Sequence, residues 1–181
     1  MREDTRTRIQ EVALRLFTEQ GYEATSLREI AEELGVTKAA LYYHFKTKDD
    51  IVASLVDLLV AETEELVEWV RSRPKTPETR LELLERYAEN LARPRHLEIT
   101  RFLERNQTAL RAHPKLIKMR EAMLALTAEL SEPGADPVER ISRSLALFAL
   151  HAGKWMRPQD DLTEDEIAKA SMEVARRLLE A

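Results

Sequence analysis

The chain has 181 residues, no cysteine and a formal net charge of −5. Disulfides, thiolate metal sites and cysteine redox sensing are thereby excluded. No apolar run approaches the roughly 18 residues that a membrane span requires, and the charged start M-R-E-D-T-R-T-R lacks the apolar core of a secretory signal, so a cytoplasmic protein with no membrane partner is expected.

Ile9, Val12, Ala13, Leu16 and Phe17 form the apolar stripe of a first helix that ends near Gly21. In the second, Leu27, Ile30, Ala31 and Leu34 keep the i, i+3, i+4, i+7 spacing of one buried face. Ser26 with Glu29 predicts a capping box at its start, and Gly35 supplies the left-handed residue that ends it. Val36 follows as an apolar plug, and Thr37 caps a third helix whose Leu41 and Phe45 face inward.

Thr47 with Asp50 opens a fourth helix that runs almost to Pro74, roughly 35 Å at 1.5 Å per residue. Thr76-Pro77 starts a fifth that Pro94 ends, a sixth covers 95–112, and a seventh begins after Pro114. After a loop at 131–136, Asp136 with Glu139 boxes an eighth helix through Trp155, and Thr163 with Glu166 boxes the last. There is no strand alternation and no fixed-period repeat. The expected fold is all-α with about nine helices, a three-helix domain at 1–50 and a helical bundle at 51–181.

The third helix carries the chemistry. From Thr37 to Lys48 the chain has three lysines, one histidine and no acidic residue, although Glu29, Glu32 and Glu33 precede it. With Leu41 and Phe45 turned inward, Lys38, Ala39, Tyr42, Tyr43 and His44 are left to face a partner. A lysine can neutralise a phosphate, a tyrosine hydroxyl can donate to a phosphate oxygen while its ring packs on sugar, and Ala39 permits close approach to a groove. The helix N-termini after Ser26 and Thr37 offer N–H groups to the same backbone. Two short helices around a tight turn, with a cationic second helix, spell a helix-turn-helix at about 27–46.

The string F-T-E-Q-G-Y at Phe17–Tyr22, then Thr25, Ser26, Ile30, Ala31, Leu34, Gly35 and Val36, and finally L-Y-Y-H-F-K-T-K at Leu41–Lys48, resembles the N-terminal domain of TetR family transcriptional regulators. The resemblance covers about the first 50 residues without a gap. It implies a homodimeric, all-helical repressor whose C-terminal domain binds a small molecule and releases palindromic operator DNA. It also implies that Thr25 and Ser26 hold phosphate and that Arg28 points toward the major groove. Thr37, Lys38, Ala39, Ala40, Tyr42, Tyr43 and His44 would form the recognition surface, with Lys38 on a base edge and Lys48 clamping a further phosphate. Leu27 departs from the small polar residue of some members, and core packing is expected of it instead.

The charge balance runs against a broadly basic DNA binder. Residues 1–50 hold eight Lys and Arg against ten Asp and Glu, and the remainder hold 20 against 23. Only the recognition segment is positive, so weak, strongly salt-dependent binding to random DNA is expected.

In the C-terminal region, Trp69, Tyr87, Phe102, Asn106, Gln107, Met119, Met123, His151 and Trp155 combine aromatic, flexible and polar groups suited to an effector cavity. For a dimer interface the last two helices stand out, with Leu145, Phe148, Ala149, Ala152, Trp155, Val174 and Leu178. Histidines lie at 44, 96, 113 and 151 without a glutamate three residues before any of them, and no H-E-x-x-H, G-x-G-x-x-G or G-x-S-x-G string occurs. A non-enzyme without catalytic residues, metal or cofactor is the expectation. The alternative is a helical small-molecule-binding or adaptor protein that never touches DNA, which leaves the Tyr42-Tyr43-His44 cluster unexplained.

Overall fold

A computed structural model describes residues 2–111, 113–155 and 162–180, without the side chains of 2–4 and 152–155. Among the described residues there are ten helices and no strand: α1 Arg2–Glu19, α2 Leu27–Leu34, α3 Lys38–His44, α4 Lys48–Arg71, α5 Pro77–Ala92, α6 Pro94–Arg105, α7 Gln107–Leu110, α8 Pro114–Glu129, α9 Pro137–Trp155 and α10 Glu164–Glu180. The tenth helix comes from a break inside the expected sixth. Asn106, at φ −110° and ψ 21°, leaves the helical region, and α7 restarts after it as a single turn.

The chain divides into two compact units, residues 1–60 with 93–119, and residues 61–92 with 120–181. The first is therefore larger than the three-helix domain drawn at 1–50. Its physical cause is aromatic packing: Phe102 of α6 is fully buried, and its ring stacks on Phe17 of α1 at 5.5 Å and lies 6.3 Å from Tyr22. Ile9, Ile30, Leu41, Phe45, Ile51 and Ile99 complete this core, all fully buried. Side-chain hydrogen bonds add to the docking of 93–119. Asn106 Oδ1 accepts from the Tyr22 backbone N–H at 3.3 Å, Arg105 donates to the Thr18 carbonyl at 3.3 Å, and Gln10 bridges Ser54 and Arg95 at 2.9 and 3.1 Å.

In the second unit, α10 packs on α9 and α5. Leu66, Val70, Leu83, Leu84, Tyr87, Leu126, Leu130, Ala146, Leu147, Ala149 and Ala175 form its core. Ion pairs tie the end of α4 and the start of α5 to the end of α8 and the loop after it: Arg71 and Lys75 share Glu129 at 2.8 and 3.1 Å, and the buried Arg80 meets Glu132 at 2.6 Å.

The expected helix starts form as local chemistry dictates. The Thr47 hydroxyl accepts from Asp50 N–H at 3.0 Å while the Asp50 carboxylate accepts from Thr47 N–H at 2.9 Å. Thr163 and Glu166 exchange the same pair of bonds at 3.2 and 2.7 Å. At α9 only half of the box appears: Asp136 accepts from Glu139 N–H at 3.3 Å and also from Val138 N–H at 2.8 Å, whereas the Glu139 carboxylate turns to Arg143. No described helix is long and apolar enough to cross a membrane.

Candidate nucleic-acid interface

Two capped helices and the turn between them build the candidate surface. At the start of α2, the Ser26 hydroxyl accepts from Glu29 N–H at 3.2 Å and the Glu29 carboxylate accepts from Ser26 N–H at 2.7 Å. The side-chain bond with Ser26, then the backbone one, holds the Glu29 carboxyl below the usual carboxylate range. The helix ends on Gly35 at φ 71°, where a β-carbon would be strained. Val36 N–H reaches back to the Ala31 carbonyl at 3.0 Å and closes the turn. One residue on, Thr37 Oγ1 accepts from Ala40 N–H at 3.1 Å and starts α3.

With Leu41 and Phe45 buried, α3 turns Lys38, Ala39 and Tyr43 outward, and Tyr43 is 65% exposed. Tyr42 and His44 are only half-buried rather than fully outward as the sequence suggested. The Tyr43 and His44 rings meet edge-on at 5.3 Å, and Lys38 Nζ lies 5.4 Å from the centre of the Tyr42 ring. Lys46 Nζ donates to the Tyr42 carbonyl at 2.6 Å and so caps the end of α3.

Three candidate DNA contacts, two expected on phosphate and Arg28 toward the major groove, already hold partners within the chain. Thr25 is buried, its hydroxyl donating to the Gly21 carbonyl at 2.9 Å, because it locks the turn between α1 and α2. Its side chain is thereby a structural clamp rather than an outward donor, a correction to the sequence reading. Lys48 Nζ donates to the carbonyls of Tyr22 and Glu23 at 2.6 and 3.1 Å and lies over the Tyr22 ring. Arg28 pairs with Glu32 at 2.6 Å, but both side chains are mostly exposed, and such a pair is weak and easily exchanged. Ser26, Thr37, Lys38, Ala39 and Tyr43 stay exposed, and Ala40 is half-buried.

Two side-chain contacts of this unit were not legible in the sequence. Tyr22 is buried and donates its hydroxyl to Asp49; burial first, then Asp49, pushes that phenol well above its usual value. Arg6 of α1 places its guanidinium 4.4 Å from the centre of the Phe45 ring. Both depend on contacts across distant sequence positions.

The effector candidates separate between the units. Phe102 and Asn106 belong to the first unit, Phe102 as core and Asn106 as the clamp on Tyr22. Both were expected at an effector cavity; in the structure the Phe102 ring is buried against Phe17. Gln107 is exposed and Met119 half-buried in that same unit. In the second unit, the buried Tyr87 hydroxyl meets His151 Nε2 at 2.6 Å and Met123 Sδ at 3.5 Å, so these three come together. Burial raises the Tyr87 phenol. Trp69 packs against the same core between Arg73 and Arg86, whose guanidinium carbons lie 4.7 and 4.5 Å from its ring centre, and its buried indole N–H has no partner among the described residues. The side chain of Trp155 lies outside the described residues. An open groove of about 500 Å³ runs along Lys75, Leu124, Ser131, Arg140 and Ser144, and none of the effector candidates lines it.

Of the interface candidates, Leu145, Phe148 and Val174 are 47, 57 and 49% exposed, and Leu178 is half-buried. Ala149 is instead buried in the core cluster with Ala175, because small residues on α9 admit α10 of the same chain. The side chain of Ala152 lies outside the described residues.

Comparison with known proteins points in one direction. A family model described as bacterial regulatory proteins, tetR family, matches residues 9–55. The HTH-type transcriptional regulator AcrR of Shigella flexneri is similar, 43% identical over 76 residues that cover 41% of this chain and 35% of that protein. TtgR of Pseudomonas putida is 44% identical over 57 residues, 32% of this chain and 27% of that one. The matched stretch thus spans about a third of the length of these curated relatives. Solved structures extend the likeness along the chain. NalD, the secondary repressor of the MexAB-OprM multidrug efflux pump in Pseudomonas aeruginosa, superposes with a TM-score of 0.70 at 28% identity, covering 97% of this chain and 95% of that one. Mycobacterium smegmatis AmtR gives 0.64 at 31% identity, over 94% and 84%.

Proposed function

This chain belongs to the tetR family of bacterial regulatory proteins, and from that premise we propose that it is a homodimeric repressor released from a palindromic operator by a small molecule. The observation that carries the DNA-binding reading is the outward face of α3. Its N-cap Thr37, Lys38, Ala39 and Tyr43 stay exposed behind a capped turn that fixes their direction, which is what insertion into a major groove requires. Lys38 reads a base edge, while Ser26, Tyr42, Tyr43 and His44 contact the backbone. Arg28 exchanges Glu32 for a groove contact on binding. The reading module lies within 1–50, and 51–181 carries effector binding and dimerisation.

Homodimerisation is supported by the apolar row left open on α9, and repression by the likeness to NalD, itself a repressor. The effector enters the second unit beside Tyr87, Met123 and His151, a hydroxyl–imidazole pair next to a flexible thioether.

Selection of bound duplexes from a random pool tests the reading directly. An enriched palindrome protected by the full-length protein supports it, and a pool that stays random through repeated rounds sinks it in favour of a helical ligand-binding or adaptor protein. Sedimentation at micromolar concentration tests the dimer, and melting-temperature shifts across a metabolite collection test the effector.

A further inference from the structure

We propose that Arg6, on the first helix and outside the helix-turn-helix, is an additional phosphate contact of the DNA-binding surface, pre-positioned by stacking on Phe45. The proposal rests on the reading of α3 as a DNA-recognition helix. Arg6 precedes Ile9 by three residues and Gln10 by four, and both are buried, so its side chain leaves α1 along the row of these two core residues. Its guanidinium meets the Phe45 ring 4.4 Å from the centroid. Phe45 is the C-cap of α3 and directly precedes Lys46 and Thr47 at the entry to α4. Arg6 is itself exposed and pairs with no carboxylate among the described residues.

The chemistry fits an anion with planar oxygen pairs. A guanidinium held over an aromatic ring by its charge spends none of its N–H donors on that contact, and those donors are what grip phosphate bidentately. Stacking also removes rotamer freedom before the ligand arrives. The neighbouring cations are less available: Arg28 is paired with Glu32, and Lys46 and Lys48 donate to backbone carbonyls. In a domain with more acids than bases, Glu29, Glu32 and Glu33 lie on α2, so a guanidinium fixed beside the recognition helix and unpaired with any described carboxylate changes the local field appreciably. The other arginines of α1 with described side chains differ. Arg15 bonds Glu33 at 2.5 Å and Glu19 at 3.4 Å, and Arg8 lies on the exposed side of the helix.

The test measures fluorescence anisotropy of the full-length protein on a duplex selected from a random pool and on a scrambled duplex, over a series of salt concentrations. Arg6→Met keeps an apolar cover on Phe45 and removes the charge; Arg6→Lys keeps the charge and removes the fork. Arg6→Met is expected to weaken both duplexes by a similar factor of about tenfold, to lower the salt slope by about one unit, and to leave the melting temperature and the preference for the selected duplex unchanged. Arg6→Lys is expected to keep the slope and lose part of the affinity. If Arg6→Met binds with wild-type affinity and slope while the wild type still selects its duplex, the Arg6 contact is wrong and the DNA-binding reading stands. If both variants lose affinity together with melting temperature and keep the wild-type slope, the stack is purely structural and the proposal falls. A wild-type protein that binds no duplex removes both.

Discussion

The α2–α3 surface and the outer face of α9 are both amphipathic helices with one side in a core, yet they leave opposite chemistry in the open. On α2 and α3 the large apolar side chains Leu27, Ile30, Leu41 and Phe45 are buried, and what faces out is hydroxyl, ammonium and phenol. On α9, Val138, Ile141, Leu145 and Phe148 are 71, 61, 47 and 57% exposed, spaced three, four and three residues apart along one stripe. A stripe of that kind is stable in water only when something apolar meets it, whereas the α3 face needs a charged, hydrogen-bonding partner. Exposure, not periodicity, separates the surface suited to nucleic acid from the one suited to a second copy of the chain.

The largest expected effect tests where the first unit ends. Phe102→Ala should destabilise the protein by about 3–5 kcal/mol, the range for deleting a fully buried phenylalanine, as read by denaturant unfolding. An unchanged stability with a lost response to effector would return Phe102 to the ligand site and dissolve the boundary between the units. Next comes the apolar stripe. Phe148→Glu should raise the dimer dissociation constant roughly 30-fold or more, the scale of an interface hot spot near 2 kcal/mol, with the subunit fold preserved because Phe148 is already exposed. Sedimentation equilibrium reads this, and an unaltered dimer would show that the stripe meets something else.

The helix-turn-helix was legible in the sequence because its determinants are local. Ser26 and Glu29 are three residues apart, Gly35 is the only kind of residue at ease at φ 71°, and Val36 closes on Ala31 five residues back. Core faces with helical spacing were legible for the same reason. The parts that sequence could not give are mostly long-range: Asn106 finds Tyr22 across 84 positions and Phe102 joins Phe17, while Thr25 turns inward to Gly21, a local contact that depends on how the turn between α1 and α2 folds. Ala149 illustrates the limit well. Small residues on a helix signal close approach, but nothing in the chain order says whether the approaching helix is α10 of the same subunit or that of another.

On the recognition side, Lys38→Ala should cost about 1–3 kcal/mol of discrimination at particular base pairs while leaving binding to scrambled duplex nearly intact. Lys48→Ala should behave differently, because its ammonium holds the carbonyls of Tyr22 and Glu23. Its affinity loss should arrive with a lower melting temperature. Competition binding with single-base operator variants, alongside thermal unfolding, separates the two lysines. If both relax specificity alike, the base-edge role of Lys38 is lost.

The smallest effect concerns pH and is read at the start of α2. Glu29 accepts from Ser26 N–H in the folded state, which holds its carboxyl below the unfolded value of 4.5. A depressed folded value means that the unfolded chain binds the proton first, so the stability contributed by this box is complete above about pH 4.5 and fades as pH falls through the lower folded value. Glu29→Gln removes the titration while keeping the side-chain length. The difference in melting temperature between wild type and variant should therefore be constant near neutrality and shrink as pH drops below 4.5. No comparable loss is expected on α9, where Glu139 answers to Arg143 instead of its helix cap. A wild-type-minus-variant difference that grows on acidification would mean that the Ser26–Glu29 pair does not start α2 in solution.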